Sequence, residues 1–114
     1  MTGALQRRLA AVLALDIVGY SRLMQLDEEG THRRSRAFLT GTVETCVAAR
    51  GGRVVKSTGD GMLVEFASVV EATRCAMEIN GELPAHNDNQ PLDRLLNVRI
   101  GINVGIAFTN IPRQ

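Results

Sequence analysis

Two carboxylates stand in unusual places in this sequence. Asp16 closes the apolar run Leu9 to Leu15, and Asp60 sits between Gly59 and Gly61 in a tight turn. An ionised acid at the end of a buried strand is costly unless it is solvated, paired or metal-bound. A carboxylate pair with no His or Cys beside it suits a hard cation such as Mg²⁺, which takes one or two protein carboxylates and fills its shell with water and phosphate oxygens. If the strand and the turn are neighbours in one sheet, the two acids converge on a metal-triphosphate site. Each acid also has a plainer reading: Gly-Asp-Gly is ordinary turn chemistry, and Asp16 can cap the turn that follows it.

Two further features could belong to such a site. The backbone N–H groups of Val18, Gly19 and Tyr20 open a short helical stretch, where amides are available to phosphate. Lys56 is the single lysine among thirteen basic residues, four positions before Asp60 and about 13 Å from it on an extended strand. His32 and His86 lie in polar surroundings without metal-ligand spacing, and no Ser/His/Asp or Cys/His set can be assembled. Cys46 and Cys75 fall at apolar helical positions and read as small hydrophobes.

The elements that must position these residues follow from periodicity. Leu9 to Leu15 reads as a buried strand ending at Asp16. Asp27 caps a helix starting near Glu28, which buries Leu39, Val43, Cys46 and Val47 and stops at Gly51-Gly52. Arg53 to Lys56 and Met62 to Phe66 form a hairpin about Gly59-Asp60-Gly61. Ser68 and Glu71 make a capping box for a second helix, which Gly81 and Pro84 should fray or end. Leu96 to Val104 alternates as a half-buried strand. The expected class is α+β, a ferredoxin-like βαββαβ core with two helices on one face of an antiparallel sheet.

Composition narrows the function. The 114 residues make at most one domain, and 45% hydrophobic content gives it a core, which excludes a disordered tail. A formal charge of +1 argues against nucleic acid as a partner, and the scarcity of aromatics argues against an RNA-binding βαββαβ module. No apolar run is long enough for a membrane span or a signal peptide, so a cytoplasmic location is expected.

Three stretches, Leu13-Ala14-Leu15-Asp16-Ile17-Val18-Gly19-Tyr20-Ser21, Gly51 to Phe66 with Lys56 and Gly59-Asp60-Gly61, and Arg99-Ile100-Gly101-Ile102-Asn103-Val104-Gly105, together resemble the class III adenylate and guanylate cyclase catalytic domain of bacteria. The resemblance implies two Mg²⁺ or Mn²⁺ ions on Asp16 and Asp60, with the Ile17 carbonyl as a further ligand and the Val18, Gly19 and Tyr20 backbone near the triphosphate. It implies attack of the ribose 3′-hydroxyl on the α-phosphorus, and it makes Lys56 the reader of adenine, which favours ATP over GTP.

The resemblance also implies a head-to-tail dimer, in which the acids of one chain face the lysine of the other. It divides the chain into an N-terminal extension (1–7), a cyclase domain (8–105) and a divergent tail (106–114). The family's second adenine-reading acid and its transition-state Asn and Arg follow Gly105, and residues 106–114 do not match them. The expectation is therefore a domain incomplete after its fourth strand, either an impaired adenylate cyclase or an inactive partner that binds metal-nucleotide or pairs with a full-length cyclase. The isolated chain is expected to be marginally stable and to associate.

Overall fold

The computed structural model describes residues 4–111, and side chains from 7 to 106. Strand β1 (Ala4–Ile17) leads through α1 (Tyr20–Leu26), α2 (Glu28–Arg36), a π-helical segment (Ala37–Val43) and α3 (Glu44–Ala49) to strands β2 (Arg53–Ser57) and β3 (Gly61–Phe66). Helix α4 (Val69–His86), a 3-10 turn (Leu92–Arg94) and strand β4 (Val98–Ile111) complete the chain. The sheet order is β2-β3-β1-β4 with every neighbouring pair antiparallel, which is the α+β, βαββαβ arrangement expected.

Period-two side-chain alternation divides the sheet into two faces. Leu13, Leu15 and Ile17 of β1 and Met62, Val64 and Phe66 of β3 are buried, in one cluster with Phe38, Val43, Val47, Ala72, Ile79 and Leu96. Ala14, Asp16, Leu63, Arg99 and Gly101 lie on the other face, exposed or half-buried. The run thus turns Leu13 and Leu15 into the core and leaves small Ala14 on the open face. Cys46 and Cys75 are free and buried, and burial pushes the Cys75 thiol up to about 11, so both act as core atoms.

Three expectations need correction. Helix α4 does not end at Gly81 or Pro84 but runs through both to His86. Pro84 removes a ladder bond only in the last turn, and Asn87 holds that turn. Its N–H donates to the Leu83 and Pro84 carbonyls, while its side chain donates to the Leu96 carbonyl at 2.8 Å and accepts from the Leu96 N–H at 2.7 Å. Leu96 accordingly precedes the last strand as a clamped core residue. The helix from Glu28 is likewise interrupted by the π-helical turns, where Thr42 Oγ1 lies 2.7 Å from His86 Nε2.

The third concerns the chain ends. Strand β1 begins at Ala4 rather than Leu9, and β4 continues through residues 106–111, pairing back as far as Ala4. Because β3 pairs with β1 only as far as Ala11, residues 4–9 and 106–111 form a two-stranded ribbon beyond the body. The parts of the extension and tail at residues 1–3 and 112–114 lie outside the described residues. Among the described residues no helix is long and apolar enough to cross a membrane.

Candidate functional site

Strand pairing brings the two acids to the same end of the sheet. Asp16 lies directly opposite Gly61, and the Ile17 N–H donates to the Asp60 carbonyl at 2.8 Å. Gly61 permits this approach, since a Cβ there would come within 2.8 Å of the Leu15 carbonyl oxygen. The turn is closed by the Thr58 N–H donating to the Gly61 carbonyl at 2.9 Å. The Thr58 hydroxyl donates to Asp60 Oδ1 at 3.1 Å and fixes the carboxylate of this half-buried residue.

Lys56 reaches the same place through an irregularity. The register shifts between Val54 and Lys56, so that Lys56 lies opposite Leu63 and Val55 is the additional residue of a bulge. Asp16, Asp60, Lys56, Thr58 and Arg99 all line one cleft of about 600 Å³ on the helix-free face. Small Ala14 and Gly101 leave its floor open. Within one chain Lys56 and Asp60 both line this cleft.

Sequence reading missed Arg99. It is the register partner of Asp16, and its Nε and Nη2 donate to Asp16 Oδ1 at 3.0 Å and Oδ2 at 3.2 Å. Hydrogen bonding to Asp16, reinforced by its charge, raises the Arg99 pKa further above its ordinary value. The only signal in the sequence was its place on the polar side of the alternating strand, shared with Asn97 and Asn103. That Asp16 lies across from it is visible only in the pairing.

The amides expected at the triphosphate are differently disposed. The Val18 N–H donates to the Asn97 carbonyl at 2.8 Å, which takes it from any phosphate. Gly19 adopts φ 64° at the start of α1, a left-handed conformation for which glycine is the natural residue, and Tyr20 packs on the core. The Ile17 side chain is a buried hydrocarbon, and the one group this residue could offer a cation is its backbone carbonyl.

The donor set fits a hard cation. Among the described residues no three His, Cys, Asp or Glu side chains gather to hold a metal, so a soft-metal cage is not formed. Two carboxylates beside an open cleft, with room for water and phosphate oxygens, match the needs of Mg²⁺ or Mn²⁺.

Comparison with known proteins places this geometry. No protein-family model matches the chain. It is 47% identical over 102 residues to a Rhizobium meliloti protein named "Putative adenylate cyclase 3", covering 90% of this chain and 17% of that protein. It is 37% identical over 106 residues to a Streptomyces coelicolor protein named "Adenylate cyclase", covering 92% of this chain and 26% of that one. The solved adenylate/guanylate cyclase/hydrolase from Silicibacter pomeroyi superposes with a TM-score of 0.80 at 38% identity, over 93% of this chain and 62% of that chain. Its curated relatives are named adenylate cyclases, and over nine-tenths of its length the chain is similar to the class III adenylate and guanylate cyclase catalytic domain, whose core its four-stranded sheet with helices on one face matches. It spans about a sixth to a quarter of the length of the curated relatives.

Proposed function

We propose that the chain forms the metal- and purine-holding part of an adenylate cyclase-type domain, which converts ATP to cyclic AMP and pyrophosphate at an interface between two copies. The observation that carries this reading is the placement of Asp16 and Asp60 together at one end of the sheet, beside one open cleft. Two divalent cations, Mg²⁺ or Mn²⁺, would when bound supply charge neutralisation of the triphosphate and acidify the attacking ribose hydroxyl. Asp16, Asp60 and the Ile17 carbonyl would hold them, with Thr58 keeping the Asp60 carboxylate in place. Lys56, a donor-only ammonium, suits the unprotonated ring nitrogen of adenine better than the N–H that guanine presents there. The exposed walls of the cleft, Ala14, Leu63, Arg99 and Gly101, are the surface a second copy would cover, and the two-fold would set the acids of one chain against Lys56 of the other. The chemistry and the nucleotide both suit the cytoplasm.

A second reading is favoured by the Arg99 fork on Asp16, which engages both oxygens of an expected cation ligand. In it the 114-residue chain holds metal-nucleotide without turning it over, or pairs with a full-length cyclase. On that reading the chain alone forms little or no cyclic AMP from ATP with Mg²⁺ or Mn²⁺. It should nevertheless bind a fluorescent ATP analogue in a Mn²⁺-dependent way that Asp60→Ala weakens at least about tenfold. Robust turnover by the chain alone, abolished by Asp60→Ala, would retire the second reading. Failure to bind nucleotide with any divalent cation would retire both.

A further inference from the structure

We propose that Arg99 is an internal counter-ion that occupies Asp16 when no divalent cation is bound and thereby sets the cation affinity of the cleft. The inference rests on the reading of Asp16 as a cation ligand. Both Asp16 oxygens are already engaged, Oδ1 by Arg99 Nε at 3.0 Å and Oδ2 by Nη2 at 3.2 Å. This is the fork-to-carboxylate geometry in which arginine binds most specifically. A cation arriving at Asp16 must displace that fork, and until it does so it also meets a like charge within a few ångströms.

The exchange is physically accessible. The Arg99 side chain is 73% exposed and that of Asp16 46%, so the pair is held by its own two hydrogen bonds and not by burial, and the guanidinium can swing into solvent. An exposed pair of this kind is weak, as a displaceable occupant must be. The cross-strand register fixes Arg99 opposite Asp16. Lys56 is cationic and lines the same cleft without pairing with Asp16, which makes it the internal control for net charge.

The test is a titration with Mn²⁺ alone, following the loss of the free-ion electron paramagnetic resonance signal at fixed ionic strength. Arg99→Gln is expected to bind Mn²⁺ roughly two- to fivefold more tightly than wild type, the range an exposed ion pair supports. Arg99→Lys, which keeps the charge but loses the fork, should fall between them, and Lys56→Gln should gain less than Arg99→Gln. Asp16→Asn should abolish saturable binding in either background. Unchanged or weaker binding by both Arg99 variants, with Asp16 still required, would overturn the counter-ion role alone. Equal gains from Lys56→Gln and Arg99→Gln would overturn it too, by reducing the effect to net charge. Absence of saturable Mn²⁺ binding in wild type and Arg99→Gln alike would overturn the cation reading of Asp16 itself, and the counter-ion role with it. Thermal melts by circular dichroism confirm that each variant is folded.

Discussion

Glu65 stands on the open face of β3, two residues beyond Leu63, and is hydrogen-bonded by Arg8, with Arg53 Nη2 at 3.5 Å. The Arg8 hydrogen bond chiefly, with the charges of Arg8 and Arg53 assisting, holds its carboxyl below the ordinary value of 4.5 against the opposing effect of burial. A carboxyl depressed in the folded state contributes stability that is complete above its unfolded value and is lost as pH falls through the folded one. The chain is therefore expected to lose stability as pH drops below 4.5. Glu65→Gln should flatten that part of the profile, with a difference of up to about 1 kcal/mol. Urea midpoints on both sides of that pH check it, and an identical acid slope in both proteins would refute the assignment. Asp16 and Asp60 were legible as residues because their positions are costly or unusual for an acid. Arg99 was not, because its partner lies eighty-three residues away in the chain and cross-strand register is not written in local periodicity.

At the scale of elements, hydrophobic spacing marked both helical regions, the hairpin and the alternating strand. What it misplaced were ends, where side-chain brackets and tertiary partners override propensity. Asn87 is the clearest instance: its two bonds to Leu96 stop α4 after Pro84 and keep Leu96 out of β4. Asn87→Ala leaves the Leu96 N–H and carbonyl without that partner, and is expected to lower stability by about 1–3 kcal/mol, read from the urea midpoint at unchanged slope. A loss below about 0.5 kcal/mol would mean that water replaces the bracket. The shift at Val55 was equally invisible in the sequence, because a bulge adds one residue without changing composition, yet it determines which face carries Lys56. The extension of β1 and β4 to Ala4 and Ile111 escaped notice because the alternation after Gly105 is weak, and pairing with β1 supplies what propensity lacks.

The whole molecule is elongated by the ribbon those strands make. Its radius of gyration is 16.4 Å, against about 13 Å for a compact chain of this length, and its extents are 55 × 27 × 20 Å. Leu9, Val104 and Ile106 are 69%, 50% and 58% exposed, and β4 lies at the edge of the sheet. Exposed apolar side chains beside an open edge invite pairing with another chain. Sedimentation should therefore show association rising with concentration, reduced by Ile106→Lys; a monomer at every concentration would refute this. For the cleft itself, the most direct measurement is the broadening of backbone amide signals by substoichiometric Mn²⁺ in a nuclear magnetic resonance spectrum. The expected result is selective loss of the amides of Leu15 to Val18 and Thr58 to Met62, abolished together by Asp16→Asn. Broadening centred elsewhere, such as at Glu28 and Glu29 or Glu78 and Glu82, or none at all, would contradict the assignment of Asp16 and Asp60 as a shared cation site.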